Sequence, residues 1–153
     1  MKRHSSLSGL SRDHHPALIA AQICKIKSPA YVGLPSEPAE KKKYILSFWK
    51  EELQSHFRSE EELLIPLIAG RDAELDDITK IVLRQHLELT QFIRELESAE
   101  DVESALDNFG YALDEHVRLE ERVWFEMIQN LLDEKLLVEI GENLNSGSGA
   151  KNK

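Results

Sequence analysis

With 153 residues, 41% of them hydrophobic and 31% charged, the chain has the size and composition of one globular domain that buries a core without staples. Twenty-eight acidic residues against 19 basic leave a net charge of -9, which disfavours a phosphate backbone as partner, so no nucleic acid is expected. The single cysteine, Cys24, excludes an internal disulfide, and no apolar run approaches a membrane span, so no membrane partner and a cytoplasmic location are expected.

The opening MKRHSSLSGL is basic and polar and lacks the apolar run of a secretory signal peptide. A first helix is predicted over about residues 11–27, with Leu18, Ile19, Ile23 and Ile26 among its apolar positions and His14 and His15 side by side. Pro16 is accommodated if it lies in the first turn, where backbone donors lack intrahelical partners anyway. Residues 28–40, SPAYVGLPSEPAE, hold three of the five prolines and read as a long surface connection.

A second helix follows over about residues 41–68, with Pro66 expected to kink or end it. A turn at Gly70 and Arg71 leads to a third helix over about 72–97, whose stripe is Ile78, Val82, Leu83, His86, Leu89, Ile93 and Leu96. Ser98-Ala99-Glu100-Asp101 reads as a break ending in a helix cap. A fourth helix spans about 102–132, DEKLLVEIGENL offers a short extra helix, and NSGSGAKNK, residues 145–153, has the composition of a disordered tail after a single domain over 1–144.

One stretch is written twice. His56-Phe57-Arg58-Ser59-Glu60-Glu61 is echoed by His116-Val117-Arg118-Leu119-Glu120-Glu121, and an apolar run follows each copy. Residues four apart share a helix face, so His56 with Glu60, and His116 with Glu120, aim two donors the same way. Each pair interrupts an apolar stripe: Ile45, Phe48 and Leu53 before His56 with Leu63 and Leu67 after it, and Phe109, Ala112 and Leu113 before His116 with Leu119, Val123 and Met127 after it. Such a face is buried on packing, and a buried carboxylate costs several kcal/mol unless it is paired or bound to a cation.

Four long amphipathic helices without strand signals give an all-α fold, an up-down-up-down four-helix bundle with a short C-terminal helix. The donors recur as His, His with Glu, His, His with Glu, which makes two similar hairpins. Laying the first helix on the third favours His14 over His15: the offsets that give apolar residues after His86 give Ala17, Ala20, Ala21 and Cys24 after His14. His15 keeps its own apolar neighbours in Leu18, Ile19 and Ile26 and stays a candidate.

The candidate metal ligands are therefore His14 or His15, His56, Glu60, His86, His116 and Glu120. Taken singly, each His is more often a hydrogen-bonded core residue, and each Glu a partner for Arg58, Arg118 or Arg122. Together they would make a costly inert core. Imidazole mixed with carboxylate is the ligand mixture of non-haem iron and manganese, whereas calcium wants oxygen alone and structural zinc usually cysteine; manganese or zinc in place of iron stays an alternative.

DHHPAL, HFRSEEELLIPLI, QHLEL and HVRLEERVWFEMI resemble the four motif segments of the hemerythrin-like, or HHE cation-binding, domain, over about residues 7–132. The resemblance implies a non-haem pair of iron ions, Fe2+ or Fe3+ with an oxo or hydroxo bridge, and a small ligand such as O2, NO or peroxide. Carried over, the ligands fall on His14 or His15, His56, Glu60, His86, His116 and Glu120, with both glutamates bridging. Two departures stand out: Val82 occupies the place of a further third-helix histidine in oxygen-carrying members, and their acid five residues after the last His would fall on Glu121. No nucleophile arrangement or nucleotide loop is legible, so binding, sensing or iron handling is preferred over turnover; a redox enzyme reducing peroxide or oxidising ferrous iron is the alternative.

Overall fold

The structure, a computed structural model, describes residues 2–151 and the side chains of its last helix as far as residue 147. Every regular element among the described residues is helical: α1 Ser8–Cys24, α2 over 38–68, α3 Ala73–Ser98, α4 over 102–131 and α5 Glu134–Lys151. None of these helices is long and apolar enough to cross a membrane. The caps follow the sequence: Asp72 accepts from Leu75 N at 2.9 Å to start α3, and Asp101 accepts from Ser104 N at 3.1 Å to start α4. At the start of α2, Pro38 takes the first helical position, where its missing N–H is no loss.

Several boundaries differ from expectation, among them the end of α1 at Cys24 and the start of α2 at Pro38. α1 begins at Ser8, so Pro16 lies inside the helix and not in its first turn. The earlier start follows from Leu7 and Leu10, which are buried against the far end of the core. α2 ends at Ile68, as expected, two residues beyond Pro66. α5 continues to Lys151 through the segment expected as a tail; residues 152 and 153 lie outside the described ones. Two contacts anchor that extension: Asn143 Nδ2 donates to Leu63 O at 2.7 Å, and Gly147 passes so close to Leu63 that a Cβ there would collide with its side chain.

The core is two apolar clusters. One gathers Ala17, Ala21, Ile45, Leu53, Phe57, Leu89, Phe109 and Leu113; the other gathers Leu10, Leu64, Ile68, Val82, Trp124, Phe125 and the buried face of α5. Between them, in each of α1 to α4, sits a polar position: His14, His56 with Glu60, His86, and His116 with Glu120, all buried.

α1 packs most extensively on α4, and through small side chains. A Cβ on Gly110 would lie 2.7 Å from both Ala21 O and Cys24 Cβ, so only glycine permits this approach. Gly110→Ala is therefore expected to destabilise the fold by about 1–3 kcal/mol, read as a lower denaturant midpoint. Cys24 behaves as a small apolar residue here, with burial pushing its thiol pKa up to about 12.

The helical count made from the sequence holds in α3, where Val82, His86, Leu89, Ile93 and Leu96 are buried. In α2 and α4 it slips. Beyond Glu60 the buried residues of α2 are Leu64 and Ile68 rather than Leu63 and Leu67, and beyond Glu120 those of α4 are Trp124, Phe125 and Ile128 rather than Val123 and Met127. The cause is a wide π-type turn over Glu60–Leu64 and another over Glu120–Trp124, each of which accommodates an extra residue and rotates the following stripe by one position. A third such turn, Trp49–Leu53, precedes His56.

Candidate metal centre

Both glutamates are wholly buried, at 0% exposure, and the four imidazoles are nearly so. None of the arginines beside them in sequence reaches in; Arg118, for one, pairs with Asp114 at 2.9 Å. Instead the six side chains form two groups of four, His14, His56, Glu60 and Glu120, and Glu60, His86, His116 and Glu120, with the potential ligand atoms of each group within 4.8 Å of one another. Glu60 and Glu120 belong to both.

The distances make the sharing concrete. Glu120 Oε1 lies 2.8 Å from His14 Nε2 and 3.8 Å from His56 Nε2, and its Oε2 lies 3.1 Å from His116 Nε2 and 3.8 Å from His86 Nε2. Glu60 reaches His86 Nε2 through Oε1 at 3.0 Å and His56 Nε2 through Oε2 at 3.4 Å. The two wide turns begin at these glutamates, a placement that wide turns often take at functional sites.

Each imidazole is held from behind by the neighbouring helix. Asp13 on α1 takes His56 Nδ1 at 2.9 Å, Glu61 on α2 takes His86 Nδ1 at 2.6 Å, Gln85 on α3 takes His116 Nδ1 at 2.7 Å, and Glu121 on α4 closes the ring with His14 Nδ1 at 2.7 Å. A carboxylate only accepts, so the Nδ1 atoms facing Asp13, Glu61 and Glu121 carry the proton and the opposite Nε2 atoms are left as the potential ligand atoms. Such outer partners fix ring orientation and raise ligand basicity. The sequence offered a signal for them: Asp13 immediately precedes His14 and Gln85 immediately precedes His86, and Glu61 and Glu121 immediately follow Glu60 and Glu120.

The geometry separates the two sequence alternatives. His14 is 3% exposed and converges on Glu120, whereas His15 is exposed and lines an apolar surface pocket with Leu18, Ile19 and Tyr31. Glu120 points inward, while Glu121 is turned to the outer side of His14. Val82, where a further histidine would stand in oxygen carriers, belongs to the apolar cluster beside the site.

Among the described residues, four buried side-chain atoms have no hydrogen-bond partner: His56 Nε2, Glu60 Oε2, His116 Nε2 and Glu120 Oε2. Unmet buried polar atoms cost about 1–3 kcal/mol each, and all four here are potential ligand atoms of the two groups. A donor set of imidazoles and shared carboxylates therefore fits metal ions, one for each group.

Electrostatics agree. Burial lowers the pKa of His14, but Glu120 and Glu121 outweigh it and hold the value up at about 9. Burial likewise works against His86, which Glu120 and Glu60 hold up at about 10, and His56 is raised in the same way against burial by Glu60 and Asp13. Burial acts to raise the pKa of Glu120, yet His116, His14 and His56 bring it well below the usual carboxylate value. Without metal, protons thus stand in for cations.

Raised histidine pKa values stabilise the fold fully below the unfolded value of about 6.5, and that contribution is lost as pH rises through the folded values. Metal-free protein is therefore expected to lose stability between about pH 7 and 10. Metal uptake must displace these protons, so at pH 7 to 8 it is expected to release acid, with apparent affinity rising with pH. Unbuffered titration with an indicator dye, beside melting curves across the range, checks both; pH-independent uptake would contradict the assignment.

A polar pocket of about 250 Å³, with Ser5, Ser8, Arg12, Asp13 and Ser59 among its walls, reaches the outer edge of His56.

In a comparison with protein families, residues 8–128 match the hemerythrin HHE cation binding domain. Neither the curated proteins nor the solved structures compared gave a match.

Proposed function

Because this chain belongs to the hemerythrin HHE cation-binding family, we propose that it holds two iron ions and uses them to bind or sense a small ligand such as O2, NO or peroxide, or to handle iron. The observation that supports this most is that Glu60 and Glu120 are each common to two groups of buried donors. Bound iron would supply a redox-active Lewis acid that takes an exogenous ligand. The chain itself supplies two imidazoles to each position, shares two carboxylates between them, and keeps bulk water off the inner face with its two apolar clusters. Four side chains are fewer than the six ligands octahedral iron accepts, and Val82 adds none, so room for an external ligand follows from the donor count. The polar pocket at His56 brings solvent as far as the outer edge of that ring.

The same reading takes the four long helices as an up-down-up-down bundle, supported by the short connections at 69–72 and 99–101. It takes the location as cytoplasmic, supported by a lone buried cysteine suited to a reducing compartment. Manganese and zinc suit the same donors, and iron is preferred for its redox chemistry with O2, NO and peroxide.

Anaerobic protein loaded with ferrous iron and titrated separately with O2, NO and peroxide tests the proposal. A stoichiometric spectral change with one of them, in a sample holding two irons per chain, is the expected result. Continued consumption of peroxide or O2 under excess reductant would instead favour the redox enzyme, and indifference to all three would leave iron handling as the role.

A further inference from the structure

We propose that Arg3 is a positioning residue for His14, acting through Glu121 and Phe125. The inference rests on the two-metal reading but concerns a residue outside the family match, which covers residues 8–128. The Arg3 side chain is 17% exposed. Its guanidinium spends its donors on one patch of α4 and the start of α1: Nη2 on Glu121 O at 2.8 Å and Glu121 Oε1 at 3.3 Å, Nη1 on Glu126 Oε1 at 3.2 Å and Gln129 Oε1 at 3.3 Å, and Nε on Ser11 Oγ at 3.2 Å. The guanidinium carbon also lies 5.5 Å from the centre of the Phe125 ring.

Three of the groups that Arg3 holds, Ser11, Glu121 and Phe125, bear on one imidazole. Glu121 Oε2 accepts from Ser11 Oγ at 2.7 Å and faces His14 Nδ1 at the same distance. Phe125 lies parallel to the His14 ring, 9° apart in plane and 5.6 Å between centres. The first contact sets which nitrogen of His14 carries the proton, and the second sets the plane in which the ring lies. Both supports are gripped by a single planar fork, which a lysine, a point charge on a flexible stem, does not reproduce. The segment carrying Arg3 is itself pinned, by His4 N on Gln129 Oε1 at 3.0 Å and by the fully buried Leu7.

Full-length protein with Arg3→Met, which keeps apolar bulk over Phe125, tests the inference with zinc alone as a diamagnetic probe. In the wild type, nitrogen NMR of labelled histidines is expected to show His14 protonated at Nδ1 and zinc-bound at Nε2. In Arg3→Met, the His14 signals should shift and broaden, and the zinc held with His14 and His56 should bind about 10-fold more weakly, while the zinc held with His86 and His116 is unaffected. Arg3→Lys should not restore the wild-type pattern. Glu121→Gln should reproduce the defect, with little added by combining it with Arg3→Met, because both act along one path. Unchanged His14 signals in Arg3→Met would overturn the inference, as would an equal loss at both positions, which would mark Arg3 as a general clamp. A wild-type chain that took only one zinc would defeat the two-metal reading, and the His14 signals would still decide the role of Arg3.

Discussion

Glu120→Ala is expected to abolish binding of both metal ions, not one. Its two oxygens face different imidazole pairs, with His14 and His56 toward Oε1 and His86 and His116 toward Oε2. Removing an outer partner of a metal ligand costs about 10–100-fold in affinity, so deleting a carboxylate common to both positions should cost each of them more than about 100-fold. Glu121 does not replace it, because that carboxylate lies behind His14 and is tied to Ser11 and Arg3. His116→Ala is the informative contrast. His116 belongs to one group only, so this variant should lose one ion and keep the other. Equilibrium dialysis with ferrous iron or zinc reads both results, with circular dichroism to establish that each variant is folded. Retention of one full equivalent by Glu120→Ala would mean that the glutamate does not bridge.

The second large effect is thermal. Buried carboxylates and imidazoles with unmet atoms hold the metal-free core below its potential stability, and ligands that bind only the folded state add their binding energy to it. A metal present at about 1,000 times its dissociation constant contributes about 4 kcal/mol per site. For a domain of this size each kcal/mol moves the midpoint by about 2–4 °C, so loading even one site should raise Tm by about 8–16 °C over the chelated protein. The rise should vanish in Glu120→Ala. A melting curve indifferent to chelation would point to a metal-free scaffold, the one reading in which the buried donors do nothing.

Much of this was legible because the chain repeats itself. The doubled His and Glu segments named four of the six inward donors, and laying α1 on α3 chose His14 through four small residues, Ala17, Ala20, Ala21 and Cys24, all of which are buried. That result is instructive because larger apolar residues on α1, Leu18 and Ile19, are exposed; hydrophobicity alone would have chosen the wrong face. Small side chains won because Gly110 brings α4 against the α1 backbone.

Other features were not readable from periodicity. A count of 3.6 residues per turn presumes a uniform helix, and the wide turns at Glu60 and Glu120 moved the buried stripe to Leu64, Ile68, Trp124 and Ile128. The outer ring of Asp13, Glu61, Gln85 and Glu121 joins residues on adjacent helices, so it depends on packing that no single helix encodes. Glu121 was noticed only as a departure from the family pattern, and its place behind His14 explains why a carboxylate stands there. Arg3 lay in a stretch that composition marked only as basic and polar, and its role appears once α1 and α4 are assembled around it.

Two groups of buried acids and imidazoles that share a pair of carboxylates are expected to hold two cations. Anaerobic titration of metal-free protein with ferrous iron, followed by metal analysis of the desalted product, tests this most directly. A break at two equivalents, with two irons retained per chain, is the predicted result; saturation at one equivalent, or no retained metal, would contradict it.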